Sequence, residues 1–177
     1  MKSGRSANRG FTLVEIMIAV AVLSILLGIA LPNLNAMLRR IQVNTISTDL
    51  ANSLQQGRNE AIKLGARVLV CASNAAGNDC VASTDWGANG WLVCHDTDGD
   101  SACDPSTAAI PNPLYVQSAV AAGTATVTGP SASVVFTSSG ACSTPTVAPH
   151  LTVTAVGATG TTTVSVQGSG YVKGTRI

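Results

Sequence analysis

A single carboxylate interrupts a long apolar run near the N-terminus. The run covers residues 11–31, and Glu15 is its one charged residue. A helix of about 20 residues crosses a hydrocarbon core of about 30 Å, so the run is long enough to span a membrane. A charge in hydrocarbon costs about 2.5 kcal/mol or more, so it either reaches the membrane interface or has a partner. Glu15 is therefore a candidate functional residue.

Four of the five cysteines form two pairs with the same spacing. Cys71 and Cys80 enclose eight residues, and so do Cys94 and Cys103. Equal short loops favour two local disulfides, each joining the end of a strand to the loop after it. Pairing between the two loops is the alternative, because spacing does not fix connectivity. A zinc site is disfavoured because the spacing is wider than in common zinc motifs, and Cys142 is left over as a buried thiol or a partner in another pairing.

Aspartates crowd the segment after Cys94. Alternating carboxylates around Gly99 resemble a calcium-binding loop, although the glycine lies too early and no glutamate ends the loop. A solvated acidic turn is the simpler interpretation. The weak calcium candidates are Asp96, Asp98 and Asp100, with Asp104 following them.

The sequence offers no catalytic constellation. Cys94, His95 and Asp96 are adjacent on a predicted strand, where side chains alternate between faces, so they cannot form a triad among themselves. His150 stands alone, and there are no paired catalytic carboxylates, no nucleophile elbow and no phosphate loop. We expect neither enzymatic activity nor a cofactor.

Charge is scarce and unevenly placed. Charged residues make up 11% of the chain, against about 25% in typical soluble proteins. Lys2, Arg5 and Arg9 precede the apolar run, whereas residues 41–177 carry a net charge of −3. Residues 106–171 contain no charged side chain and are rich in Thr, Ser, Val and Gly. This composition favours β-structure outside the cytoplasm, where cysteines form disulfides.

The elements that position these residues are a helix and short strands. Pro32 removes a backbone N–H and predicts a bend in a helix that continues beyond it. Apolar residues then recur every three or four positions, as in an amphipathic helix, and Gly65 is a predicted C-terminal cap. The apolar positions are Leu34, Leu38, Ile41, Thr45/Ile46, Leu50, Leu54, Ala61 and Leu64.

Beyond Gly65 the pattern changes to short β-type runs separated by turn residues. The final two runs are predicted to form a hairpin. The sequence thus predicts an α+β fold in which a long N-terminal helix packs on a small antiparallel β-domain. The predicted strands are residues 67–72, 90–95, 114–119, 133–137, 150–155 and 161–167.

The segment RGFTLVEIMIAVAVLSILLGIALPNL resembles the class III signal of type IV pilins and type II secretion pseudopilins. The resemblance implies cleavage by prepilin peptidase after Gly10, N-methylation of Phe11, and pairing of Glu15 with the N-terminal amine of a neighbouring subunit. Because each subunit would carry both groups, the contact is heterologous and builds an open helical filament. The implied organisation is a leader at 1–10, a transmembrane polymerisation helix at 11–32 that includes Pro32, an amphipathic continuation at 33–65 and a β-rich domain at 66–177.

Later segments resemble the FimT and general-secretion pseudopilin H family. They are GRNEAIKLGARVLVCAS, WGANGWLVCHDTDGD, VVFTSSG and GSGYVKGTR. The resemblance implies a minor pilin that helps to initiate a type IV pilus, with other pilins as partners. Before assembly it would sit in the inner membrane with a periplasmic C-terminal domain. The alternatives are a type II secretion pseudopilin for protein export and a DNA-binding minor pilin for natural transformation.

The DNA alternative depends on the C-terminal tail. Some FimT-type minor pilins bind DNA through a Gly-Arg-x-Arg segment, and here Tyr171, Lys173 and Arg176 occupy the matching positions. With two cations the resemblance implies weak, salt-sensitive phosphate binding, with Tyr171 available to stack on a base.

Overall fold

A computed structural model describes residues 11–107, 109–143, 150–155 and 161–175, except for the side chains at 29–33, 36, 150, 155 and 175. Gly10 and Arg176 lie outside these residues. One helix is followed by eight strands: α1 (Leu13–Leu64), β1 (Val68–Ala72), β2 (Trp91–His95), β3 (Tyr115–Gln117), β4 (Ala125–Thr128), β5 (Val134–Phe136), β6 (His150–Ala155), β7 (Thr161–Val166) and β8 (Val172–Thr175). The chain divides into two compact units, residues 1–38 and residues 39–177.

The described part of the first unit is the N-terminal stretch of α1. Pro32 lies within the bounds of this helix, so the helix continues past the proline as predicted. The bend at Pro32 stays a prediction, because its side chain lies outside the described residues.

The second unit begins with the remainder of α1, whose inner face covers a sheet. The helix ends at Leu64, where Gly65 has φ +62° and the amide of Ala66 donates to the carbonyl of Ala61 at 3.3 Å. This geometry is a Schellman-type cap, which only a residue without a Cβ adopts readily. The predicted C-cap at Gly65 is confirmed.

The buried face of α1 agrees with the predicted one only in its second half. Leu50, Leu54 and Ala61 are fully buried, whereas the predicted positions before Val43 are about half exposed and Val43 itself lies in the core; these exposed positions are Leu34, Leu38 and Ile41. Burying a leucine side chain contributes about 1.5–3 kcal/mol, so Leu50 and Leu54 are major anchors of the helix. Ile41 is wrong as a core position because the inward face follows the four-residue step from Val43 through Ser47, which is also buried.

The strands form two antiparallel four-stranded sheets. Their orders are β3-β2-β1-β5 and β4-β6-β7-β8. The predicted hairpin of the last two sequence runs is present as the β6–β7 pair, with Thr152 opposite Thr163. Two strands were not predicted: β4 and β8, which form the two edges of the second sheet. No second helix occurs among the described residues.

The first sheet is buried on both faces. Val68 and Val70 of β1 join the core formed with α1 and the second sheet, while Leu69 and Cys71 face the opposite side. On that opposite side they contact Cys94 of β2 and the half-buried Cys80 and Cys103, which come from loops. Loops, rather than a second helix, therefore cover this face, and they are the loops that carry cysteines.

Candidate functional site

The start of α1 is held by a reciprocal capping interaction. The amide of Glu15 donates to the hydroxyl of Thr12 at 3.3 Å, and the amide of Thr12 donates to the Glu15 carboxylate at 3.5 Å. This is a capping box, in which two amides without helical partners are satisfied by side chains. Its signal, Thr-x-x-Glu, is readable in the sequence but was missed beside the more prominent apolar run. Glu15 thus has a role within its own chain besides the predicted contact between subunits.

Apolar side chains cover the described part of the N-terminal segment all around. Every large apolar residue from Leu13 to Leu27 is at least half exposed, and Phe11 is 79% exposed. An apolar surface that is exposed continuously from Leu13 to Leu27 indicates contact with lipid or with other protein. Among the described residues no helix qualifies as a membrane span. The predicted span at 11–31 includes positions 29–31, whose side chains lie outside that description.

Two disulfides close the loops that follow β1 and β2. Cys71 is joined to Cys80, and Cys94 to Cys103, each across a sequence separation of nine residues. Of the two connectivities left open by the sequence, the structure has the local one. Cys142 is half-buried and lies outside both disulfides, beside the core of the first sheet.

The acidic loop is organised by its own amides and one arginine. Asp96 is fully buried, and its carboxylate accepts the amides of Gly99 and Ser101 at 2.7 and 3.2 Å. The Arg67 guanidinium lies 3.2 Å from the same carboxylate. Asp98 and Asp100 likewise accept amides within the loop. The calcium candidates therefore act as turn acceptors, with Arg67 supplying the positive charge next to Asp96.

The structure brings together a different trio from the predicted one. Carboxylate oxygens of Asp96, Asp98 and Asp104 lie within 4.8 Å of one another, whereas Asp100 is not part of this group. Exposed acidic side chains commonly converge without binding a metal, so this geometry does not change the interpretation as an acidic turn.

His95 pairs with a carboxylate that the sequence did not connect to it. Its Nδ1 lies 3.0 Å from Asp104, which also accepts the hydroxyl and amide of Thr97 at 2.5 and 2.8 Å. The hydrogen bonds from Thr97, with a smaller contribution from His95, lower the pKa of Asp104. Cys94 forms a disulfide with Cys103, so it has no thiol that could act as a nucleophile. The segment Cys94, His95 and Asp96 therefore has a structural role in the described fold.

The C-terminal tail presents two of its three predicted residues to solvent. Tyr171 is 55% exposed, and Lys173 is exposed on β8. Residues two positions apart on an extended chain share a face, so Tyr171 and Lys173 point to the same side. Arg176 lies outside the described residues.

Comparison with known proteins identifies the family. A family model described as type II transport protein GspH matches residues 47–170, and one described as a prokaryotic N-terminal methylation motif matches residues 5–31. The chain belongs to the GspH family. Together the family and the motif imply a membrane-anchored pilin or pseudopilin subunit that is processed by prepilin peptidase and assembles with other such subunits.

Solved structures share the GspH-family fold. The type IV minor pilin FimU of Pseudomonas aeruginosa strain PAO1, crystallised in space group P21, superposes with a TM-score of 0.53 at 21% identity, covering 76% of this chain and 88% of FimU. The same pilin in space group P65 gives a TM-score of 0.51 at 20% identity, covering 75% and 91%. The α+β pilin-like fold predicted from the sequence is therefore confirmed. A search among curated proteins gave no significant match.

Proposed function

We propose that this GspH-family chain is a minor pilin that takes part in initiating a type IV pilus. The observation that carries the proposal is the exposed apolar surface of the N-terminal segment, with Glu15 near its start. In the membrane this surface contacts lipid as a single span, and in the filament it contacts the corresponding helices of neighbouring subunits. The C-terminal domain lies on the periplasmic side.

Assembly depends on an amine that only a processed neighbour supplies. Cleavage after Gly10 frees the amine of Phe11, which is then methylated. In an apolar surrounding the Glu15 carboxylate gains most from a buried cation, and a correctly staggered subunit places its own amine there. The intact mass of the mature chain tests the processing step: loss of residues 1–10 with one added methyl group is expected. Retention of the leader would contradict it.

The choice between a pilus and a secretion system rests on the structural likeness. FimU, whose two crystal forms share this fold over most of their length, is a type IV minor pilin. The family description points instead to type II transport. Deleting the gene should abolish or strongly reduce surface pili while secreted protein stays at its normal level, and wild-type complementation should restore the pili. Loss of secretion with normal piliation would instead support a pseudopilin.

A second candidate function is DNA binding by the tail, favoured by the exposure of Tyr171 and Lys173 on one face. Gel shifts at several salt concentrations test it with the full chain in detergent. Lys173→Ala should weaken binding uniformly across sequences and reduce the salt slope by about 1. The matched control is Lys63→Ala, which removes an exposed lysine from the end of α1. Equal effects of the two substitutions would exclude the tail as the binding site.

A further inference from the structure

A groove of about 360 Å³ lies beside the middle of α1. On one side it is lined by helix residues that include Ile41, Ile46 and Asp49, and on the other by the connection between β3 and β4. Val120 from that connection and the buried ring of Trp91 complete an apolar lining. Ile41, which sequence reasoning placed in the core, is 49% exposed and lines this groove instead.

The Asp49 carboxylate brings a negative charge to this apolar lining. Asp49 is half-buried, and its carboxylate forms no ion pair with the residues that the structure describes. The hydroxyl of Ser53 donates to the backbone carbonyl of Asp49 rather than to the carboxylate. The longer polar side chains of the groove, Gln42 and Gln117, are uncharged. The groove is therefore complementary to a basic side chain, whose apolar stem packs on the lining while its charge meets Asp49.

The same helix carries a matching cation on its opposite side. Arg40 is exposed and forms no ion pair within the described part of the chain, whereas Arg39, Arg58 and Lys63 all make other interactions. Arg40 precedes Asp49 by nine residues, or about 2.5 turns of α-helix, so the two side chains leave α1 on opposite sides. Arg40 therefore cannot reach the Asp49 of its own chain, but it can reach that of another.

We propose that the groove receives Arg40 from a second copy of this chain, packed beside the first with its helix parallel. Each copy offers the cation on one side of α1 and the carboxylate on the other, so the contact is heterologous and can repeat along a filament. The nine-residue offset corresponds to an axial stagger of about 13.5 Å, less the length that the flexible arginine spans.

The direction of this stagger matches that of the proposed Glu15 contact. In both contacts the subunit that supplies the cation is displaced towards the C-terminal end of the helix that supplies the carboxylate. The groove contact rests on the proposed function, because parallel packing of subunits in a filament is what brings the two sides of α1 together.

Cross-linking between two tagged full-length copies tests the contact in cells that assemble the filament. Both copies carry Cys142→Ser, one also carries Arg40→Cys and the other Asp49→Cys. After mild oxidation a disulfide-linked dimer with both tags is expected. Thr48→Cys replaces Asp49→Cys in the matched control and should give little or no dimer, because Thr48 is exposed beside Asp49 but does not line the groove.

Three results of the cross-linking would overturn the proposal. They are equal dimer yields with Thr48→Cys and Asp49→Cys, no dimer with Asp49→Cys, and capture of Asp49→Cys by a different protein instead of the second copy.

Exchanging the charges tests whether their attraction holds the contact. Asp49→Arg or Arg40→Asp alone should lower the amount of this chain in sheared filaments by about fivefold, the upper range for an exposed ion pair. In the double variant each copy again offers one charge of each sign, so incorporation should return to the wild-type level. This rescue separates lost attraction from misfolding, which a second substitution would not repair. A double variant that enters filaments as poorly as the single ones would overturn the pairing.

Failure of the groove contact and failure of the proposed function give different results. If deletion of the gene abolishes pili but the cross-link does not form, the contact is wrong and the function as a minor pilin stands. If the cross-link forms in cells whose piliation does not depend on the gene, the contact stands and the role in initiation is wrong.

Discussion

At the scale of single residues, the Asp104 carboxylate holds its loop together through hydrogen bonds. It accepts hydrogen bonds from the hydroxyl and amide of Thr97 and contacts the buried His95. Sequence reasoning paired His95 only with its neighbours and did not connect it with Asp104, because that contact depends on how the loop between Cys94 and Cys103, eight residues long, closes. The disulfide from Cys94 to Cys103 brings the two ends of the loop together.

The lowered pKa of Asp104 predicts a pH-dependent contribution to stability. A carboxyl whose pKa is lower in the folded state stabilises the fold fully above its unfolded pKa of about 3.9, and this contribution is lost as pH falls through the folded value. Asp104→Asn should therefore be less stable than the wild type at neutral pH. Urea unfolding should show the difference shrinking as pH drops below about 3.9. A difference that stays constant at acid pH would contradict the assignment.

At the scale of elements, the helix approaches the first sheet at a glycine. A Cβ on Gly57 would lie 2.6 Å from Val70 Cγ2 and 3.5 Å from the Phe136 ring. The spacing of apolar residues predicted the helix and the buried positions Leu50, Leu54 and Ala61, but it did not single out Gly57. Close approach of side chains from a sheet to a helix backbone has no periodic signal, so this position was visible only in the structure.

Gly57→Ala should destabilise the β-domain despite the better helix propensity of alanine. Overpacking costs about 1–3 kcal/mol, while the gain in propensity is about 1 kcal/mol, so the net loss is on the order of 1 kcal/mol. Urea unfolding measures it. Gly28→Ala is the matched control, since nothing lies within 4 Å of its added Cβ. Equal stability of the two variants would show that the contact at Gly57 is easily relieved.

The disulfides hold the loops that cover the second face of the first sheet. Replacing both Cys71 and Cys80 by Ser should lower the free energy of unfolding by about 2–5 kcal/mol under oxidising conditions. In the presence of reductant and a chelator, wild type and variant should unfold at nearly the same urea concentration. A difference of the same size under both conditions would mean that packing of the sulfur atoms, rather than the covalent bond, stabilises the loops.

The two strands that sequence reasoning missed have weak local signals. In β4, Ala125 and Val127 are buried while Thr126 and Thr128 are exposed, an alternation of only four residues in a long neutral stretch. In β8, Gly174 interrupts the strand, and glycine is disfavoured there by propensity alone. Both strands form through pairing with β6 and β7, which a local pattern does not encode.

At the scale of the whole molecule, the two units have different surfaces. Residues 39–177 enclose a core in which both tryptophans are buried, and Trp91 donates to Ser53 of α1. The described large apolar side chains of residues 11–28 are exposed. The sequence predicted this division because the N-terminal apolar run lacks a polar face, whereas the later helix is amphipathic. The sequence did not predict that Asp79 connects two loops, because the Cys103 amide that donates to its carboxylate lies 24 residues further along the chain.

The capping box makes Glu15→Gln more informative than Glu15→Ala. Glutamine keeps the oxygen that accepts the Thr12 amide, and Gln serves in capping boxes as Glu does. The substitution therefore removes the charge and leaves the helix start intact. Glu60→Gln is the matched control, because it neutralises a carboxylate near the other end of the same helix.

The amount of each variant in filaments sheared from cells tests the account of assembly most directly. Glu15→Gln should be inserted and processed normally but enter filaments about tenfold less or worse, since an unpaired charge in the apolar contact costs about 2.5 kcal/mol. Glu60→Gln should enter filaments as the wild type does. Glu15→Gln at wild-type levels in filaments would contradict pairing of this carboxylate with a neighbouring amine.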